Sequence, residues 1–390
     1  MMTLQVEPAV RICIVAPVPP PYGGMSIQAQ KLATRLRSEG FEVTLLATNP
    51  VFPDWLRFSE RVPGLRTMAR TFFYLRSLPR SMAAADVVHH MTVCGIYFFA
   101  LTVPLVLWGR VHHKRVVLNY RGGRASAFLK RWAWAAIPVM GMANSTIVPS
   151  EFLQRIFKQY GLSADVVPNI IDTETFSYQP RKTIRPKLIV TRHLEPLYNV
   201  ECILKAFRIV RERFGGAELS IAGTGSEEQR LRKLCAEWNL EGVTFLGHVP
   251  PTKLPVLYAA HDIFVNSSNA DNFPGALVEA ACSGLPIVTT RAGGIPDMIR
   301  DHETGILVEL NDHKKLAAAV IELLEHPETA ARMAESARSW AEQFSWPATL
   351  AALLRHYTVN NVIPNDSRRS SVATAKVPQN EPELPSRNVH

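Results

Sequence analysis

The sequence predicts an α/β protein of two Rossmann-like, doubly wound units facing each other across a cleft. Three observations carry this expectation. Short apolar runs alternate with helical segments along the whole chain, the pattern of parallel sheets covered by helices on both faces. The 390 residues suffice for two domains of ordinary size. A polar stretch with two prolines, residues 177–187, divides the alternation into halves.

In the first half, Arg11 to Ala16 reads as a strand, followed by the loop Pro17 to Met25. Ser26 to Arg37 has Ile27, Leu32 and Leu36 among polar residues and reads as a helix. Glu39-Gly40 ends it, and Phe41 to Ala47 is the next strand. Further strands are expected at Asp86 to His90, Arg115 to Asn119 and Ser145 to Val148, with a helix from Glu151 to Tyr160. Val166 to Asp172 closes this half. Met91 to Gly109 carries no charge and approaches the length of a bilayer span. Pro104 interrupts it, so it reads as a buried or membrane-facing helix.

The second half offers strands at Leu188–Val190, Ala217–Ala222, Val243–Leu246, Ile263–Asn266, Pro286–Thr289 and Gly305–Val308, with helices at Glu201–Arg213 and Glu227–Trp238. The expected units are residues 1–176 and 188–340, then a C-terminal helix, 341–358, returning toward the first unit. The polar, Pro/Ser-rich tail 360–390 is expected to be disordered.

The net charge of +9 is unevenly placed. Residues 1–175 hold 19 Lys/Arg against 10 Asp/Glu, and the remainder holds 24 against 24. A basic half suggests an acidic partner. Residues 55–82 carry Arg57, Arg61, Arg66, Arg70, Arg76 and Arg80 against Glu60, interleaved with Phe58, Leu65, Met68, Phe72, Phe73, Leu75 and Leu78. Such a segment suits an anionic membrane surface and equally a solvated helical face. A nucleic-acid partner is not expected, because charge alone suggests it and no motif supports it. Five scattered cysteines without a CxxC pair point to a reducing compartment without disulfides or zinc. The start shows no signal-peptide pattern. The expected location is cytoplasmic, at the inner face of the cell membrane.

Ligands of open α/β sheets sit at the carboxyl ends of the strands. Six loops there draw attention. Pro21-Tyr22-Gly23-Gly24 follows the first strand, and Arg192 to Asn199 follows the first strand of the second half. Gly223 and Gly225, then Gly247 and Val249, lie in two later strand-to-helix turns. The most informative stretch, Asp271-Asn272-Phe273-Pro274-Gly275-Ala276-Leu277-Val278-Glu279, sets two carboxylates eight positions apart around a turn that runs into a helix. The N–H groups of Gly275, Ala276 and Leu277 at that helix start suit a phosphate or a hydroxyl. Arg291 to Asp297, with Gly293 and Gly294, lies between a strand and a helix.

The order of these loops resembles the family-4 retaining glycosyltransferases of the GT-B fold, over roughly residues 10–358 and most strongly over 188–310. In that family two Glu flank seven residues; here Asp271 takes the first place and Pro274 a Gly place. The resemblance implies that Arg192 stabilises the departing diphosphate. The family's Lys-Gly aligns with Tyr198-Asn199, so one cation is missing. The resemblance further implies that Glu279 binds the nucleotide ribose. Asp271 and the N–H groups after Phe273 would orient sugar hydroxyls. Gly293 and Gly294 would contact diphosphate or sugar, and Gly23 and Gly24 would lie near the donor phosphates. Arg121 stands where relatives carry a His, and His89 and His90 are the nearest titratable groups on the acceptor side.

The implied reaction transfers a sugar from a UDP- or GDP-linked donor to a glycan or lipid-linked acceptor hydroxyl, with retention and with neither a cofactor nor a metal. Surface polysaccharide or glycolipid assembly is the implied setting. A catalytically weak relative that binds a sugar nucleotide or lipid is the rival reading. A dinucleotide-dependent oxidoreductase is disfavoured by the missing GxGxxG.

Overall fold

Two parallel six-stranded sheets organise the chain. The computed structural model describes residues 10–20, 23–181 and 183–358. Pro21 and Tyr22 of the glycine loop, and the tail at 360–390, lie outside the described residues.

The first sheet comprises β1 (Arg11–Ala16), β2 (Glu42–Ala47), β3 (Val87–Thr92), β4 (Arg115–Tyr120), β5 (Ser145–Val148) and β6 (Asp165–Val166), in the order β2-β1-β3-β4-β5-β6. Its helices are α1 (Gly24–Ser38), α2 (Pro63–Ala83), α3 (Val103–Val111), α4 (Ala125–Gly141) and α5 (Glu151–Gln159). The second sheet comprises β7 (Lys187–Thr191), β8 (Glu218–Ala222), β9 (Val243–Gly247), β10 (Ile263–Asn266), β11 (Ile287–Thr290) and β12 (Ile306–Val308), ordered β12-β11-β10-β7-β8-β9. The remaining helices are α6 (Val200–Arg213), α7 (Glu228–Glu237), α8 (Leu254–Ala259), α9 (Gly275–Cys282), α10 (Ile295–Met298), α11 (His313–Glu325), α12 (Pro327–Ala341) and α13 (Trp346–Tyr357).

The central strands β3, β10 and β11 are buried along their whole length, as expected where helices cover both faces of a parallel sheet. Strand order reverses between β1 and β3 in one sheet and between β7 and β10 in the other. The crevice at each reversal is where such sheets take ligands. Arg192 directly follows β7, and the Asp271 loop follows β10, so both leave the second reversal.

Helix α13 packs with the first sheet. Trp346, Leu353 and Tyr357 share a core with Ile12, Ile14 and Val117. The Trp346 indole donates to Glu39 at 2.8 Å, and the Arg115 guanidinium donates to the His356 carbonyl at 2.5 Å.

Three expectations need correction. Met91 to Gly109 is helical only in part: β3 takes its start and ends at Thr92, and a π-helical stretch, Phe98–Thr102, then runs straight into α3. Phe98, Leu105 and Val106 of that run are buried, and no helix among the described residues is long and apolar enough to cross a membrane. Within 177–187, Arg181 is buried, donating to the carbonyls of His261, Tyr258, Ser283 and Gly284 and facing Asp262 at 3.4 Å. A polar composition hid a clamp. In α2, Leu78 is buried and Phe73 half-buried beside buried Tyr74 and Met82, so those two apolar residues serve the core. Leu65, Met68, Phe72 and Leu75 remain exposed on the other side.

Candidate active site

Strand β7 delivers Arg192 into the crevice. The guanidinium forms a short ion pair with the Asp271 carboxylate and lies 4.3 Å over the Tyr198 ring. The two charged side chains are only 12% and 15% exposed, and the Arg192 Nε is buried without a partner. A nearly buried cation thus keeps one N–H without a partner in the fold.

The Asp271 loop is fixed from several sides. The Phe273 N–H donates to the Asp271 carboxylate at 3.3 Å, and the Gly294 N–H donates to the Asp271 carbonyl at 2.8 Å. Polar residues past β10 pin the surrounding chain: the Ser267 hydroxyl donates to the Asn199 carbonyl at 2.8 Å, and the Thr290 hydroxyl to the Ser268 carbonyl at 2.6 Å. Pro274 precedes α9, whose first two residues, Gly275 and Ala276, present N-terminal N–H groups, while the Leu277 N–H, expected to join them, already donates to the Pro274 carbonyl at 3.1 Å.

Glu279, in the second turn of α9, is partly exposed and accepts from the Tyr258 hydroxyl at 3.0 Å. That hydroxyl also bonds Thr191 at the end of β7 at 2.7 Å. Burial raises the Glu279 carboxyl above its ordinary value, against the opposing charges of Lys31 and Arg192 and the Tyr258 hydrogen bond. Burial also holds the Tyr258 hydroxyl protonated. Tyr258 was not legible as a site residue: α8 is short, and its partner Glu279 lies 21 positions on.

Tyr198 and Asn199 do not supply a second cation. Asn199 adopts φ +47°, the left-handed region that Asn tolerates better than most side chains. Asn199 thereby makes the left-handed turn that leads from the Arg192 loop into α6. Gly223 and Gly225 are explained by backbone packing, since a Cβ would lie 1.9 Å from the Arg192 carbonyl and 2.2 Å from the Leu194 carbonyl. Gly247, at φ +66°, and half-buried Val249 lie at the end of the edge strand β9. Gly23 and Gly24 border open space, with nothing within 4 Å of an added Cβ.

The first half faces this cluster. From α1, Lys31 and Arg35 bind Asp172 at 2.9 and 2.8 Å. Burial pushes the Asp172 carboxyl up, and the two cations outweigh it, leaving it below its ordinary value. Arg121, just past β4, bonds the Asn169 side-chain oxygen, and Asn169 donates to the Phe273 carbonyl of the second half at 3.2 Å.

His90 is not on the acceptor side. It is 1% exposed, with its ring nitrogens 3.1 Å from the Val15 carbonyl and 3.0 Å from the Thr102 hydroxyl. Burial lowers its pKa to about 4. A histidine near a strand end reads like a site residue, yet this side chain points into the core between β3 and α3.

A cavity of about 820 Å³ between the halves is lined by residues including Ser150, Glu151, Phe273, Asp297 and Trp340. Its lining does not include Arg192, Asp271 or Glu279. Asp297 at its edge is bound by Arg155 at 2.8 Å.

Residues 172–340 match the profile of glycosyl transferases group 1, and residues 22–175 that of glycosyltransferase family 4. The chain is 32% identical over 393 aligned positions to D-inositol 3-phosphate glycosyltransferase of Corynebacterium glutamicum, covering 88% of this chain and 93% of that relative. The chain belongs to the family-4, group 1 glycosyltransferases. This glycosyltransferase is also 28% identical over 254 residues to a GDP-mannose-dependent phosphatidylinositol monomannoside mannosyltransferase of Mycobacterium tuberculosis, covering 57% of this chain and 66% of that relative. Its fold is similar to that of sucrose-phosphate synthase from Thermosynechococcus elongatus, with TM-score 0.70 and 17% identity over 89% of this chain and 98% of that one. Anabaena HepE, solved with UDP and glucose, aligns with TM-score 0.68 and 17% identity over the same shares. The architecture is GT-B.

Proposed function

We propose that this glycosyltransferase moves a sugar from a UDP- or GDP-linked donor to the hydroxyl of a glycan or lipid-linked acceptor, with retention at the anomeric carbon. The observation that carries this reading is the cluster of Arg192, Asp271 and Glu279 at the strand-order reversal of the second sheet, facing the first half. Arg192 leaves Asp271 for the diphosphate as negative charge develops on the leaving group, and its orphaned Nε supplies one donor. Asp271, once released, orients sugar hydroxyls together with the N–H groups at the start of α9. Glu279, aimed by Tyr258, takes the ribose hydroxyls. The acceptor attacks from the face the diphosphate leaves, and a donor phosphate oxygen takes its proton. Closure of the two halves excludes water and limits donor hydrolysis.

The first test is binding of a panel of nucleoside diphosphates and sugar nucleotides by ligand-observed NMR, to wild type and Glu279→Ala. One base series is expected to bind, and the variant to lose it by about tenfold or more. Binding by wild type that the variant keeps unchanged would remove Glu279 from the donor site. Selective donor binding without turnover on any acceptor would favour the weakly active relative, a reading supported by Tyr198 standing where a Lys is usual.

The setting we propose is glycolipid or surface-polysaccharide assembly at the cytoplasmic face of a membrane. One relative bears a name that supports a glycolipid acceptor: the mycobacterial enzyme named for phosphatidylinositol monomannoside. Leu65, Met68, Phe72 and Leu75 are spaced i, i+3, i+7 and i+10, so they form one exposed apolar stripe on α2. Trp55 and Phe58 stand exposed just before it, and Arg76 and Arg80 are exposed on the same helix. The side chains of Arg57 and Arg61 lie outside those described. Replacing Arg66, Arg70, Arg76 and Arg80 by Gln should weaken partitioning onto vesicles rich in anionic lipid by up to about a thousandfold in co-sedimentation, each charge contributing about 1 kcal/mol. Unchanged sedimentation would sink the membrane assignment.

A further inference from the structure

We infer that the substrate bound between the halves carries an anionic group, a carboxylate or a phosphate, besides the donor diphosphate, and that Arg121 receives it. The inference rests on the donor-and-acceptor reading above and names the substrate class for it.

Arg121 is held at the mouth of the first half. Its backbone N–H donates to the Thr92 carbonyl at 2.9 Å, tying the end of β4 to the end of β3. One terminal nitrogen donates to the Asn119 oxygen at 3.4 Å and the other to the Asn169 oxygen. Asn169 reaches the Phe273 carbonyl, and an added Cβ on Gly123 would stand 3.9 Å from the Asn272 amide. The guanidinium therefore sits within two hydrogen bonds of the Asp271 loop.

Its partners are neutral. Among the described residues no carboxylate forms an ion pair with Arg121, in contrast to Arg35, Arg181 and Arg192, which face Asp172, Asp262 and Asp271. Burial lowers the Arg121 pKa to about 10. A half-buried cation with only amide partners favours the arrival of an anion. Arg carries five N–H donors, and two are accounted for. The side chain is half-buried, and its Nε, which has no bond of its own, is not among the buried polar atoms lacking a partner.

The network behind Arg121 aims it. Because a guanidinium only donates, the Asn119 oxygen must face it. The Asn119 amide then donates to His89 Nε2 at 3.1 Å. That leaves the His89 proton on Nδ1, donating to the Tyr357 hydroxyl oxygen at 2.7 Å. Burial first, then the charge of Arg121, hold His89 neutral with its pKa lowered to about 3. The chain from α13 through β3 and β4 thus fixes a planar fork toward the other half. Such a fork matches a carboxylate or phosphate in two-pronged fashion. The anion is either the acid of a hexuronic sugar on the donor or a phosphate on the acceptor.

The test is calorimetry on the full chain, wild type and Arg121→Gln. The donor arm compares the nucleoside diphosphate, its hexose derivative and its hexuronate derivative. The acceptor arm compares inositol 3-phosphate with inositol, and glucuronate with glucose, with and without nucleoside diphosphate. Wild type should prefer the acidic member in one arm by about tenfold or more, and Arg121→Gln should lose that preference while binding nucleoside diphosphate as before. Arg121→Lys should keep a reduced preference. The thermal midpoint of Arg121→Gln should not fall, since an uncompensated half-buried charge is removed; a fall would mark Arg121 as a mere strut between Asn119 and Asn169. Absence of any acidic preference in wild type overturns the inference, as does its persistence in Arg121→Gln or weakened binding of nucleoside diphosphate itself by that variant. Failure of wild type to bind any nucleotide would instead strike the donor reading, while the acceptor arm without nucleotide still decides the role of Arg121.

Discussion

Exchanging Arg192 for Gln should lower kcat by about a hundredfold to a thousandfold, the usual effect of removing a donor aimed at developing charge in a dry site. Nucleotide affinity should change much less, because Glu279 and Tyr258 are untouched. Arg192→Lys should not rescue the rate, since a single ammonium cannot reproduce a planar fork held over the Tyr198 ring. A structural effect runs in parallel and must be separated. Removing Arg192 leaves Asp271, only 15% exposed, without its counter-charge, a situation costing up to about 3 kcal/mol when a nearly buried pair is broken. The double variant Arg192→Gln with Asp271→Asn should recover most of the lost thermal stability, because neither charge is then stranded, yet stay as slow as the single variant or slower. Recovery of the rate with the stability would mean the pair only holds the loop.

The sequence is informative here where chemistry and backbone geometry both press on the same residue. The central strands of the second half, β10 and β11, were legible because they are buried on both faces and therefore read as apolar runs. Arg192, Asp271, Gly293 and Gly294 were legible because they follow strands of this sheet, and the structure brings all four together. Tyr258 was hidden because its role depends on a contact between α8 and α9 that leaves no local pattern. His90 misled because a titratable residue at a strand end looks alike whether it faces the cleft or the core, and only the partners Val15 and Thr102 decide. Arg181 was missed for another reason: a polar stretch with two prolines reads only as the divide between the halves, while its guanidinium satisfies carbonyls left over at the ends of α8 and α9. In α2 the residues facing the core and those facing outward are both apolar, so periodicity alone could not tell Leu78 from Met68.

Gly293→Ala should reduce kcat/KM by about a hundredfold, the effect of displacing a reacting group by about an ångström, and should lower the thermal midpoint as well. Gly293 sits at φ +54°, where a Cβ costs about 1–2 kcal/mol by itself. A Cβ there would also lie 2.2 Å from the Asp271 carbonyl oxygen and 3.1 Å from its carbon. Those are backbone atoms, so no rotamer change relieves the clash and the loop must shift. The shift carries the Asp271 carboxylate away from Arg192 and disturbs the 2.8 Å bond from the Gly294 N–H to the Asp271 carbonyl. Gly294 is tied in the same way to Asn272, with an added Cβ 2.2 Å from its carbonyl. The two glycines therefore matter first because they let two loops pack backbone against backbone, and through that they set the position of Asp271. Gly215→Ala is the matched control: nothing lies within 4 Å of its added Cβ, and its φ is not in the left-handed region. It should leave both rate and midpoint unchanged. Equal behaviour of the two variants would show that the glycine loop does not position the acid.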